Sequence, residues 1–152
     1  TFTMPALTRR LLDGIQYENK GIMLDTGHLM NANLELRTQE EGADWVSRML
    51  EEHGGLGSMV RGIHLHQSLS GAYVKAHTGS LPDPWPVDYA EQFCQSYQHI
   101  LSIDTHRPWT TPAVRALVER IAPEWLVHEL SAANRAERDK RLEIQSRALG
   151  VL

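Results

Sequence analysis

The eight residues Gly21–His28, Gly-Ile-Met-Leu-Asp-Thr-Gly-His, constrain this chain more than any other stretch. A brief apolar run, Ile22-Met23-Leu24, stops abruptly at polar residues. Parallel strands buried on both faces have this pattern. In α/β proteins the ligand site lies at the carboxyl ends of such strands, where Asp25 and His28 fall. Three residues apart on the following turn, the two side chains can face one point, which suits a divalent metal or a polar substrate. Asp and His are also ordinary turn and cap residues, so the motif alone decides nothing.

The rest of the chain repeats the arrangement. A helix is expected over Ala6–Ile15, capped by Thr3 or Thr8, with Leu7, Leu11, Leu12 and Ile15 on one face. Asn31–Gln39 reads as a polar connection and Glu40–Glu52 as a second helix, with Trp45, Val46, Met49 and Leu50 as its buried stripe. His53-Gly54-Gly55 ends that helix, and His53 reads as a structural helix-end residue. Met59–His66 alternates with period two, placing Ile63 and Leu65 on one side and His64 and His66 on the other.

Ser68–Pro86 is a long Gly-, Ser- and Pro-rich loop carrying Tyr73, Lys75, His77 and Trp85, a length typical of lids and binding loops. A helix over Val87–Ile100 follows, with Tyr89, Phe93, Tyr97 and Ile100 at helical spacing. Asp104 and His106 sit two apart in the polar segment Leu101–Trp109. Thr111-Pro112 opens a fourth helix, with Ala113, Leu117, Val118 and Ile121 as its stripe, and Pro123 breaks it. Trp125–Leu130 is a third strand delivering Glu129 at its end, where a carboxylate is costly unless paired or metal-bound. Alternation turns His128 away from Glu129, into the helix layer. Arg135–Leu149 closes the chain as a charged helix with a narrow stripe through Leu142, Gln145 and Leu149.

Composition narrows the function classes. A length of 152 residues allows one domain with a real core. The formal charge of −4 is no electrostatic footprint for nucleic acid. The single cysteine, Cys94, excludes an intramolecular disulfide and a Cys-rich zinc module, and its apolar neighbours suggest a core thiol. No apolar run approaches the roughly 18 residues a membrane span needs, and no charged-then-apolar signal segment opens the chain, so a cytoplasmic location is expected. Each metal-ligand candidate falls just after a strand's C-terminal end or in the connection that follows it, as in an α/β barrel active site.

The ordered set Gly-Ile-Met-Leu-Asp-Thr-Gly-His, Ile-His-Leu-His-Gln-Ser, Ile-Asp-Thr-His-Arg-Pro and Val-His-Glu-Leu resembles the C-terminal part of the xylose isomerase-like TIM-barrel superfamily. That superfamily holds sugar and sugar-phosphate isomerases and epimerases, and the endonuclease IV-type AP endonucleases of AP endonuclease family 2. The resemblance spans Leu7 to Leu149. It implies an α/β fold made of about three βα units, strands six to eight of a (β/α)8 barrel. Residues 1–152 would form one partial domain, with a loop-plus-helix insertion over 68–103 after the seventh-strand equivalent.

It further implies metal ligation by Asp25, His64 and Glu129 through Mn²⁺, Mg²⁺ or Co²⁺, with Asp104 and His106 joining if the protein is endonuclease-like and binds zinc. Glu129 and His28 are the implied catalytic pair, Glu129 to shuttle a proton and His28 to bind a substrate hydroxyl. Arg107, Lys75 and Trp85 are lid candidates for contact with a sugar-like substrate. Two departures stand out. Gln67 occupies a position where the family often has an acid, and the His64–Asp104 interval is longer than in the endonucleases.

An eight-unit barrel typically needs about 250 residues, and three units leave two open sheet edges. The start Thr-Phe-Thr-Met-Pro reads like the end of a loop. A fragment is therefore expected, partnered by the N-terminal half of the barrel or self-associating as a homo-oligomer through the open edge. The fifth-strand glutamate, expected just before Thr1, would be missing, and this chain alone is expected to be inactive. The leading expectation is a metal-dependent isomerase or epimerase. The alternatives are a zinc-dependent phosphodiesterase and a barrel remnant that has lost its chemistry.

Overall fold

The computed structural model describes residues 2–79 and 81–152. Thr1 and Ser80, which fall in the expected N-terminal loop and the expected loop over 68–86, lie outside the described residues. Helix α1 is Pro5–Gly14, strand β1 Ile22–Asp25, helix α2 Thr26–Asn31 and helix α3 Gln39–His53. A 3-10 turn over Gly54–Met59 leads into strand β2, Val60–Leu65. Then come α4 (Gly71–His77), α5 (Tyr89–Ile103), α6 (Ala113–Ile121), β3 (Trp125–His128) and α7 (Arg135–Leu149).

The chain is mixed α/β, with one parallel three-stranded sheet in the order β1-β2-β3 among the described residues. Its register aligns Asp25 with His64 and His64 with Val127, so the strands end level. Level ends place Asp25, His64 and the residues just beyond β3 at one end of the sheet. Side chains alternate faces along each strand. One face carries Leu24, Ile63, Leu65 and Leu126 against a buried layer that includes Val46, Met49 and Leu50 of α3 and Val114 and Leu117 of α6. Each of these buried aliphatic side chains contributes about 1.5–3 kcal/mol over exposure. The other face is bare. Met23, Trp125 and Val127 lie 49%, 57% and 44% exposed there, and Met23 lies across Gly62.

Local chemistry explains the helix ends. Thr38 accepts from the Glu41 amide while Glu41 accepts from the Thr38 amide, a reciprocal cap that starts α3 one residue earlier than expected. His53 ends α3 as a structural residue. It is buried, its Nδ1 donates to Met49 O at 2.7 Å, and it stacks on Phe2. Thr8 does not cap α1, whose N-cap is Met4; its hydroxyl lies 3.1 Å from His53 Nε2. Gln145 is fully buried at the α7–sheet junction. It accepts from the Trp109 amide and donates to Leu65 O, with His128 Nδ1 2.8 Å from its amide nitrogen.

Several expectations are corrected. Residues after Asp25 are not a turn but the short helix α2, because Asp25 caps it. The expected loop over 68–86 contains α4. Cys94 is exposed rather than a core thiol, and Tyr89, Phe93, Tyr97 and Ile100 of α5 are also exposed, because no described element covers that face of the helix. On α1 only Leu12 of the expected stripe is buried. Leu11, Leu12 and Ile15 line an open cleft of about 430 Å³ beside the unpaired edge of β1.

Burial holds the His128 ring below its ordinary value of 6.5. Above that pH the ring is neutral folded and unfolded, so it adds no pH dependence. Below it, the unfolded chain takes up a proton that the folded ring resists, and stability falls. His128→Asn keeps an acceptor for Gln145 and removes this titration. Urea unfolding should show the stability of the native chain falling relative to the variant as pH drops below 6.5; parallel curves would refute the assignment.

Candidate metal centre

Asp25 is the pivot of the site. As the N-cap of α2 it accepts the His28 amide on Oδ1 at 2.8 Å, and the same oxygen takes His66 Nε2 at 2.9 Å. Its Oδ2 lies 3.1 Å from His28 Nδ1 and 3.8 Å from His64 Nδ1. Burial alone would raise this carboxyl; the hydrogen bonds from His66 and the His28 amide outweigh it and hold Asp25 below the usual carboxylate range. The Asp-x-x-His spacing is thus a helix cap and a charge cluster at once.

The end of β2 is fixed by two residues of the same motif. Thr26 is fully buried and its hydroxyl donates to His66 O at 2.6 Å, tying α2 to the strand. Gly27 lets the His66 ring lie against the backbone: a Cβ there would meet His66 Cε1 at 2.0 Å. His66 is consequently buried, with its ring stacked 4.3 Å from that of His106.

The chain leaves for α4 and α5 after Ser70, yet Asp104 and His106 return to the same place. Gln67 and Arg107 exchange backbone hydrogen bonds of 2.8 and 3.1 Å, and Ser68 Oγ donates to Ile103 O while accepting from the Thr105 amide. This clamp delivers Asp104 Oδ2 to 2.8 Å from His28 Nε2 and 3.3 Å from His106 Nε2. His106 holds φ at +45°, a left-handed conformation costing a non-glycine residue on the order of 1 kcal/mol. Glu129, just beyond β3, puts Oε2 2.9 Å from His64 Nδ1 and Oε1 3.6 Å from His106 Nε2. The 2.9 Å approach lacks hydrogen-bond alignment and leaves Oε2 without a partner. Burial would lower the His28 ring, but its bond to Asp104 and the charges of Asp25, Asp104 and Glu129 raise it above 6.5.

The sheet end therefore gathers Asp25, His28, His64, His66, Asp104, His106 and Glu129. Two overlapping sets have the spacing to hold a metal ion, Asp25–His64–Glu129 and His66–His106–Glu129. The donors fit such an ion: Glu129, common to both sets, has its Oε2 buried with no hydrogen-bond partner, a costly state that a cation would relieve.

The lid candidates stand apart from this cluster. Lys75 pairs with Glu35 at 2.6 Å, and Arg107 is exposed and tied in through its backbone. Trp85 lines a separate open cleft of about 720 Å³ between α4 and α5, with Tyr73, Leu81, Cys94 and His99. Gln67 is buried but directs no acid into the cluster. The sequence reading underweighted His66, Thr26 and Gly27. Their signal was the composition of Asp-Thr-Gly-His itself, a small hydroxyl residue and a glycine where an imidazole has to fit.

No helix among the described residues is long and apolar enough to cross a membrane. Compared with protein-family models, curated proteins and solved structures, the chain has no match in any of the three.

Gly27→Ala should cost about 1–3 kcal/mol, the usual penalty of overpacking, because its methyl displaces the His66 ring. Chemical denaturation measures this directly. A neutral substitution would show that His66 does not need the glycine.

Proposed function

We propose that this chain is the metal-binding part of a metal-dependent isomerase or epimerase acting on a sugar-like substrate, within a xylose isomerase-like barrel. The observation that carries the reading is the convergence of Asp25, His64 and Glu129, donors from three successive parallel strands, at one sheet end. Two carboxylates and one imidazole suit Mn²⁺, Mg²⁺ or Co²⁺. Such an ion supplies polarisation of a carbonyl–hydroxyl pair, which acidifies the neighbouring C–H. Asp25, His64 and Glu129 would hold it. His28 lies over half exposed between Asp25 and Asp104, which orient its ring toward solvent and substrate hydroxyls.

The finer fold reading follows from the same sheet. Strands six to eight of a barrel would have helices on one side and an inner face that is bare without its other strands, as Met23, Trp125 and Val127 are. Further barrel units, or a second copy, would cover that face and the open edge of β1.

A zinc phosphodiesterase is the second reading. It is favoured by one observation: His28 and His106 both approach Asp104 Oδ2, a third grouping beyond the first metal set. Several ions at once suit in-line phosphate cleavage. The charge of −4 opposes a polyanionic substrate.

The test is competitive dialysis against Mn²⁺, Mg²⁺, Co²⁺ and Zn²⁺ with elemental analysis. Manganese or cobalt retained by the chain, and less of it in Asp25→Ala, is the expected result. Retention of zinc alone, at roughly two or three equivalents, would select the phosphodiesterase. No retained ion would overturn both.

A further inference from the structure

Beyond the single ion of that reading, we infer a second cation position, formed by His66, His106 and Glu129, with the Glu129 carboxylate bridging the two ions. This rests on the metal-centre reading and extends it to a residue that the resemblance did not implicate, His66.

Three observations carry it. First, Glu129 lies between the two groups: Oε2 is 2.9 Å from His64 Nδ1 and 4.0 Å from His66 Nε2, and Oε1 is 3.6 Å from His106 Nε2. A carboxylate turned this way can reach two ions at once. Second, His106 is poised as a ligand. Its Nδ1 lies 3.0 Å from the Asp104 carbonyl, which can only accept, so Nδ1 carries the hydrogen. Histidine ligands are commonly fixed in one tautomer by such a bond. Its Nε2 faces Glu129 Oε1 and Asp104 Oδ2, the latter 3.3 Å away. A ring nitrogen and carboxylate oxygens converging on one point are donors that a cation can take. Third, His66 is held for the role. It is wholly buried, seated on Gly27, stacked on His106, and its Nε2 lies 4.0 Å from Glu129 Oε2. Cation binding there requires the hydrogen that Nε2 shares with Asp25 to move to Nδ1, which is buried and has no other partner.

The two positions differ in chemistry. Asp25–His64–Glu129 offers two oxygens and one nitrogen, whereas His66–His106–Glu129 offers two nitrogens and one oxygen. The second set suits a borderline ion of the zinc or cobalt class, and three protein ligands leave a coordination position open. A carboxylate spanning two cations has no oxygen left to carry a proton, so Glu129 holds ions rather than shuttling protons.

Cobalt(II) tests this, because it suits both donor sets and reports its coordination in visible absorption. The full 152-residue chain is titrated with Co²⁺, and bound metal is counted by elemental analysis after gel filtration. The variants are His64→Ala, His66→Asn and His106→Ala, each checked by circular dichroism. His106 is partly exposed, so its variant tests the site even if His66→Asn fails to fold. Two equivalents in the native chain, one in His64→Ala and one in His66→Asn or His106→Ala, with distinct residual spectra, is the expected result. One equivalent, abolished by His64→Ala and untouched by the other two, overturns the second position and leaves the metal-dependent reading standing. One equivalent lost in every variant means a single shared ion and also overturns it. No bound cobalt overturns both.

Discussion

One carboxylate must do two jobs in this fold. Asp25 caps α2 and is also the counter-charge around which three imidazoles, His28, His64 and His66, collect. A buried carboxylate pays a desolvation cost of several kcal/mol unless it is hydrogen-bonded and paired. Asp25 meets that requirement by drawing on the His28 amide and the His66 ring, and those bonds in turn fix where α2 starts and how β2 ends. The level register of β1, β2 and β3 then sets the distances to His64 and Glu129. Shifting one strand by a residue would send its ligand to the helix face, since side chains alternate.

The cluster is unbalanced when considered alone. Asp25, Asp104 and Glu129 crowd one sheet end, and buried oxygens of two of them lack hydrogen-bond partners. His106 is held in a left-handed conformation to face them. Packing does not require any of this, because the core lies on the opposite face of the sheet. Strain and unpaired polar atoms concentrated in one place are what a site built for a charged ligand displays. The clamp between Gln67–Ser68 and Thr105–Arg107 has the same sense: it returns the chain to this point after the α4–α5 excursion.

Much of this was legible in the sequence where local pattern and chemistry agree. The apolar run ending in Asp25, the alternation of His64 and His66, and the isolated Glu129 each marked a strand end, and the structure has strands there. The turning of His128 toward the helix layer followed from period-two alternation alone. What was not legible depended on contacts distant in sequence. Asp25 gave no sign that its first use would be as a helix cap. The α4 helix hides in a Gly-rich stretch, and Cys94 sits among apolar residues that no described element buries. Periodicity identifies an apolar face but cannot say what covers it. Lys75 and Trp85 were chosen for residue type and loop position, and tertiary pairing sends them to Glu35 and to a separate cleft.

The central claim is that this sheet end holds a divalent cation in the folded state. Thermal unfolding, with chelator and then with Mn²⁺ or Co²⁺ added, measures it most directly. An ion at a hundred times its dissociation constant stabilises by about 2.7 kcal/mol, raising the midpoint by roughly 5–10 °C for a chain of this size. The account predicts that rise in the native protein and a smaller one in Asp25→Ala and His64→Ala. An unchanged midpoint, or a rise of the same size in both variants, would contradict it.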